Sequence, residues 1–210
     1  MRSILILATR YDRQSYYTSQ WAKDLHQDLI QRKDTVCLFY DASVLCLGGK
    51  TLKDATERVD YVVFYGHGMQ DDWIALPELP GAQPPVSSIA VIDINTLATL
   101  QGRKVYAGCC WSLKGLGQAY AAAYAQAEFI GYDQEFDFDF SNHDHFREVV
   151  NQSVVAYVNG DPAKKVANDL RTEWSVLRDR FAKGNLRNSK NNVMAAACAD
   201  RNRQRVGSVP

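Results

Sequence analysis

The chain has 210 residues, enough for one domain built on one core. Its 24 Lys+Arg match 24 Asp+Glu, with 46% hydrophobic and 23% charged residues, which excludes a disordered chain, a coiled coil and a collagen-like repeat. No cationic excess is available to neutralise phosphates, so no nucleic-acid partner is expected.

The N-terminal apolar run Ile4–Ala8 is too short to span a membrane or to form a signal-peptide core, so no membrane partner is expected and the chain reads as cytoplasmic. Five cysteines, Cys37, Cys46, Cys109, Cys110 and Cys198, form an odd set without zinc-ligand spacing, so at least one thiol is free.

Short β-rich runs alternate with helical patterns, which predicts βαβ units and a parallel sheet. The first strand is residues 3–8, followed by a helix over 15–32 with Trp21, Leu25, Leu29 and Ile30 at helical spacing. Residues 35–40 form a second strand, 50–58 a short helix, and 60–65 a third strand ending in Gly66-His67-Gly68. The segment 76–85 carries four prolines and predicts a surface loop. A short helix over 93–100 follows, with Asp93 as its N-cap. Residues 103–107 form a fourth strand, running into Gly108-Cys109-Cys110-Trp111-Ser112. An alanine-rich helix over 113–126 and a fifth strand over 127–132 come next. Then an acidic loop, 133–142, leads to helices near 144–158 and 162–182. The expected organisation is one domain over 1–185 and a polar tail over 186–210, with a short helix at 193–200 and a frayed end.

In an open parallel α/β sheet, functional groups collect at the carboxyl ends of the strands. His67 follows the third strand and Cys109 the fourth, a base and a nucleophile if those strands are neighbours. Gly68 has no Cβ to obstruct a reacting carbonyl, so its N–H and that of Cys109 are expected to form the oxyanion hole. The adjacent thiol, Cys110, is the alternative nucleophile.

An apolar strand ending in His67-Gly68, followed 42 residues later by an apolar strand ending in small-small-Cys109, resembles the caspase-like (clan CD) cysteine peptidases, which include caspases, metacaspases and bacterial CHAT proteases. The resemblance covers residues 3 to about 132. It implies a three-layer, flavodoxin-like α/β sandwich with a mostly parallel sheet in the order 2-1-3-4-5. It also implies a thiol endopeptidase acting on a protein or peptide substrate, held as a zymogen and controlled by self-cleavage, a ligand or a regulatory protein partner. The two exposed loops, 76–85 and 133–142, are the expected cleavage sites. Peptidases of this group that cut after Arg or Lys line their first specificity pocket with an acidic side chain. Seven acidic residues against one Arg147 lie between Glu128 and Glu148, so a basic P1 residue is expected, with Asp133 leading, Asp137 and Asp139 behind it, and Trp111 as a wall.

No cofactor or metal is expected. Asp133, Glu135, Asp137 and Asp139 would suit a cation such as calcium, but the loop lacks the central glycine of an EF-hand. Residues 142–145, Asn-His-Asp-His, read as a helix start, and Arg201–Arg205 as a solvated basic end. Two rival functions stand beside the peptidase. One is a catalytically silent interaction module; the other is a glutamine-amidotransferase-like Cys enzyme, whose elbow would need a glycine where Ser112 stands.

Overall fold

A computed structural model describes residues 1–41, 50–76, 89–184, 186 and 192–209. Cys46 and most of the proline-rich segment fall outside the described residues; Leu76 belongs to a strand.

The sheet grows from strands that are apolar on both faces, as parallel strands covered by helices must be. Strands β1 (Arg2–Ala8), β2 (Thr35–Asp41), β3 (Tyr61–Tyr65), β7 (Lys104–Gly108) and β8 (Glu128–Tyr132) are parallel neighbours in the order β2-β1-β3-β7-β8. A sixth strand, β9 (Val206–Val209), closes the sheet antiparallel to β8. The mostly parallel α/β architecture is as expected from the sequence.

Alternation along each strand sorts side chains between two cores. Ile4, Ile6, Tyr61, Val63, Tyr65, Tyr106, Ile130 and Tyr132 enter one core. Helices α1 (Arg13–Ile30), α4 (His143–Val158), α5 (Ala163–Ala182) and α6 (Asn192–Arg205) cover it through Trp21, Phe146, Trp174 and Cys198. Leu5, Leu7, Val62, Phe64, Val105, Ala107 and Phe129 enter the other, under α2 (Lys50–Thr56), a 3-10 turn at Leu97–Leu100 and α3 (Gln118–Ala123).

A second, small sheet stands beside the first, in a region where the sequence pattern predicts no strands. β4 (His67–Gly68), β5 (Asp72–Leu76) and β6 (Ile89–Asp93) pair antiparallel, and Trp73 packs flat against Phe64 with ring centroids 4.6 Å apart. The expected helix at 93–100 is reduced to the 3-10 turn. Asp93 ends β6, and its carboxylate accepts from Asn95 N and Thr96 N at 2.9 and 2.7 Å, closing a turn instead of capping a helix. The helix expected from residue 113 starts as a π-helical turn, Leu113–Gly117.

The largest correction concerns the segment 186–210, expected as a polar tail. Its described residues 192–209 form α6 and β9, with Ala195, Ala199, Asn202 and Val206 buried. The polarity that suggested a tail is instead answered internally: Arg171 Nε donates to Val206 O at 3.0 Å, and the arginines of α6 meet the acidic segment after β8. Deleting residues 206–210 is therefore expected to lower the unfolding free energy by about 2–4 kcal/mol, from the lost burial of Val206 and the lost ladder bonds. Urea denaturation measures this; an unchanged midpoint would restore the tail description.

Candidate active site

The β3–β7 pairing ends at Tyr65 opposite Gly108. His67 lies beyond it on β4, paired with Ile74 of the small sheet, and the two cysteines follow the end of β7. The first of them is Cys109. It is 0% exposed and sits in the second core with Val105, Ala107 and Leu116. Cys110 is only partly buried and packs against the α1-side core. Cys109, the expected nucleophile, is thus the fully buried thiol of the pair, and Cys110, the alternative, is the partly exposed one.

Burial first of all pushes the Cys109 thiol well above its ordinary range, and the neighbouring Cys110 and Asp72 add to this against a bond from Ser112. The Cys110 thiol is also raised, again mainly by burial, but the Phe136 N–H opposes the shift; Asp137 and Glu135 reinforce it. Phe136 N donates to Cys110 Sγ at 3.3 Å.

His67 is held by a residue the sequence reading did not single out. Its Nε2 lies 2.9 Å from Asp12 Oδ2, with the His67 side chain 24% and the Asp12 side chain 45% exposed. A carboxylate on Nε2 favours the Nε2–H tautomer, which leaves Nδ1 as the acceptor for a thiol proton. Asp12 performs this while capping α1: its Oδ1 accepts from Ser15 N and Ser15 Oγ, both at 2.7 Å, in a capping box. Tyr11 stacks on the imidazole at 5.4 Å between centroids. The sequence signal was present in Asp12-x-x-Ser15, which marks a helix start directly after the first strand.

Gly68 is required by close approach. A Cβ there would lie 2.5 Å from Cys110 O and 2.8 Å from Cys109 Sγ, so only glycine lets this backbone rest on the cysteine pair. The chain then leaves β7 through Trp111, the one non-glycine residue at positive φ among the described residues, at 57°. A bulky side chain there marks local strain. It is held by Trp111 N donating to Gln134 O at 2.8 Å, by Lys114 over the indole at 5.5 Å, and by buried Ser112, whose Oγ donates to Cys109 O and accepts from Tyr132 N.

Beside the cysteines lies an open pocket of about 410 Å³ lined by Met69, Gln70, Asp71, Asp72 and Trp111. Asp72 is raised above its ordinary value, by burial first and then by Asp71 and Asp93, and its Oδ1 is buried with no hydrogen-bond partner among the described residues. The turn bearing these residues is seated on the π-helical turn: Leu116 N donates to Gln70 O at 2.8 Å, and a Cβ on Gly115 would strike Gln70 O. A larger groove of about 860 Å³ between α1 and α4, bordered by Asp24, Arg147 and Glu148, holds no thiol.

Of the acidic residues expected to line the substrate pocket, Asp137 and Asp139 are engaged elsewhere. Asp137 is bonded by Arg201 Nε at 2.6 Å and Arg205 Nη1 at 3.3 Å. Asp139 is buried and caps the turn Phe140–Asn142. Asp133 stays exposed at the end of β8, next to the Gln134 carbonyl that receives the Trp111 N–H. The segment is not the exposed loop expected: Phe136 and Phe138 are buried against Trp21, and Phe136 also faces Trp174. Among the described residues no group of three or more His, Cys, Asp or Glu is placed to hold a metal ion, and no helix is long and apolar enough to cross a membrane.

No protein-family model matches the chain, and no curated protein matches it significantly.

Burial works against the Asp12 charge, but the bonds from Ser15 and His67 outweigh it and hold the carboxyl below its ordinary 3.8. In the acid window the unfolded chain therefore binds the proton more readily. The stability this charge contributes is full above 3.8 and is lost as pH falls through the lower, folded value. Asp12→Asn keeps the cap and removes the charge, so its stability deficit relative to wild type should be present near neutrality and shrink below that window. Thermal unfolding across pH 2–7 measures it; a deficit that does not change with pH would contradict the pairing.

Proposed function

We propose that the protein is a caspase-like cysteine endopeptidase in which Cys110 is the nucleophile, His67 the base and acid, and Asp12 the residue that orients His67. The observation that carries this reading is the Asp12 carboxylate on Nε2 of His67 beside the cysteine pair, and Cys110 is preferred to the fully buried Cys109 because it is the partly exposed thiol and receives the Phe136 N–H.

The chemistry follows from those atoms. His67 Nδ1 takes the Cys110 proton, and the thiolate adds to the scissile carbonyl carbon. Gly68 N–H and Cys110 N–H, at the approach of the two strand ends, are the proposed oxyanion donors in place of Gly68 and Cys109. Collapse breaks the C–N bond as the imidazolium gives its proton to the leaving amine. Water, deprotonated by the same nitrogen, then hydrolyses the thioester, releasing the acid and the free thiol.

The basic P1 preference moves to a different pair of carboxylates. Met69 and Trp111 offer apolar walls for an aliphatic stem, and Asp71 and Asp72 offer a charge-assisted terminus for a Lys or Arg head. The buried, unpartnered Asp72 oxygen is a site a guanidinium would satisfy. A resting thiol held neutral by burial fits a zymogen that awaits a ligand, self-cleavage or a protein partner. Four free thiols among the described residues fit a reducing cytoplasm.

Peptides with Arg, Lys, Asp or Asn at P1 test this reading. Arg and Lys peptides should be cut, Cys110→Ala and His67→Ala should abolish cleavage, and Cys109→Ala should retain it. Asp72→Asn should raise KM for Arg peptides about ten-fold or more, the scale of one lost charge-assisted bond, with less change in kcat. Cleavage that survives Cys110→Ala and dies with Cys109→Ala would overturn the assignment. An absence of cleavage together with an inert Cys110 would favour the interaction module.

A further inference from the structure

The sulfur of Cys110 is partnered from outside its own strand. Phe136 N–H points at it at 3.3 Å, and the thiol reaches Phe136 O at 3.8 Å. Phe136 is in turn not free to choose its position. Asn202, 0% exposed on α6, receives Asp137 N–H at 2.9 Å and donates its amide to Asp137 O at 2.6 Å, fixing that residue from both sides. Arg205 Nη1 donates to Glu135 O at 2.8 Å, and Arg205 O accepts Asp133 N–H at 3.0 Å. Arg201 and Arg205 both bond the Asp137 carboxylate. Residues 133–137 are therefore gripped by the last turns of α6, while Phe136, at their centre, presents its amide to the thiol.

The charges around the sulfur pull in opposite directions. Glu135 and Asp137 on the gripped segment disfavour a thiolate, and an N–H aimed at sulfur favours one. Tyr11 and His67 approach from the ends of β1 and β3, with both Cys109 and Cys110 acting on the Tyr11 hydroxyl, and Asp72 bears on Cys109. Arg201 and Arg205 are the cations that answer Glu135 and Asp137.

We propose that Arg201, Asn202 and Arg205 are positioning residues for the nucleophile: α6 holds the Phe136 amide on the Cys110 sulfur and neutralises the carboxylates beside it, so the readiness of the thiol to ionise is set from the C-terminal end of the fold. This rests on Cys110 being the nucleophile, and it makes the C-terminal helix part of the active site's electrostatics rather than a support for the core alone.

The test is the pH dependence of alkylation by iodoacetamide in the full chain, with the labelled cysteine located by peptide mapping. It needs no peptide substrate. Arg201→Ala should move the midpoint for Cys110 upward by about one pH unit, slowing alkylation at neutral pH roughly ten-fold. Arg201→Lys restores a cation and should recover part of the shift. Asn202→Ala, scored only in cooperatively melting protein because the site is fully buried, should also move the midpoint upward by loosening the amide without removing a charge. A folded Arg201→Ala protein with an unchanged midpoint overturns the proposal while leaving the nucleophile in place. Labelling in wild type that maps to Cys109 and spares Cys110 removes the nucleophile reading, and this proposal with it.

Discussion

The parallel pairing of β3 with β7 is the constraint on which the rest of the site depends. It ends with Tyr65 opposite Gly108, so the segments that carry His67 and the cysteine pair leave neighbouring strands at the same edge of the sheet. Gly68 preserves the arrangement by allowing backbone to rest on the cysteine pair, and Asp12 completes it by joining the start of α1 to the imidazole. Helix capping and histidine orientation are thus the work of one carboxylate, which ties the geometry of the dyad to the stability of the first helix.

Charge neutrality across the whole chain hides a local complementarity. The acidic run after β8 and the arginine-rich end of α6 lie far apart in sequence, and each resembles a solvated surface when read alone. In the folded chain they meet: Asp137 bridges Arg201 and Arg205, and Glu135 lies beside Arg205. Their pairing accompanies β9 onto the edge of the sheet and the Phe136 N–H onto the Cys110 sulfur, linking the last helix to the cysteine pair.

The parallel sheet was readable from sequence because its strands are continuous apolar runs between amphipathic helices, a pattern few other architectures produce. Placement of the histidine and the cysteine pair at strand ends was readable for the same reason. Which of Cys109 and Cys110 is buried depends on how the chain turns after β7, which the sequence does not mark. The segment Phe136-Asp-Phe-Asp-Phe140 carried a period-two signal that reads as buried on one side, yet its acidic members suggested a solvent-exposed specificity loop. The small sheet was obscured because β5 and β6 flank the proline-rich segment. The final strand was obscured because its residues, Val-Gly-Ser-Val, carry little apolar signal and gain their place from Arg171 and from the edge of β8.

The most direct test of the central claim is covalent trapping with a peptidyl chloromethyl ketone bearing arginine at P1, read by intact mass and peptide mapping on wild type and His67→Ala. Such a reagent alkylates a thiol far faster when its peptide is bound and the thiol is activated. The account predicts a single adduct on Cys110 that is lost in His67→Ala and is outcompeted by an arginine-containing peptide. An adduct on Cys109, or labelling of Cys110 that is indifferent to both His67 and the peptide, would contradict it.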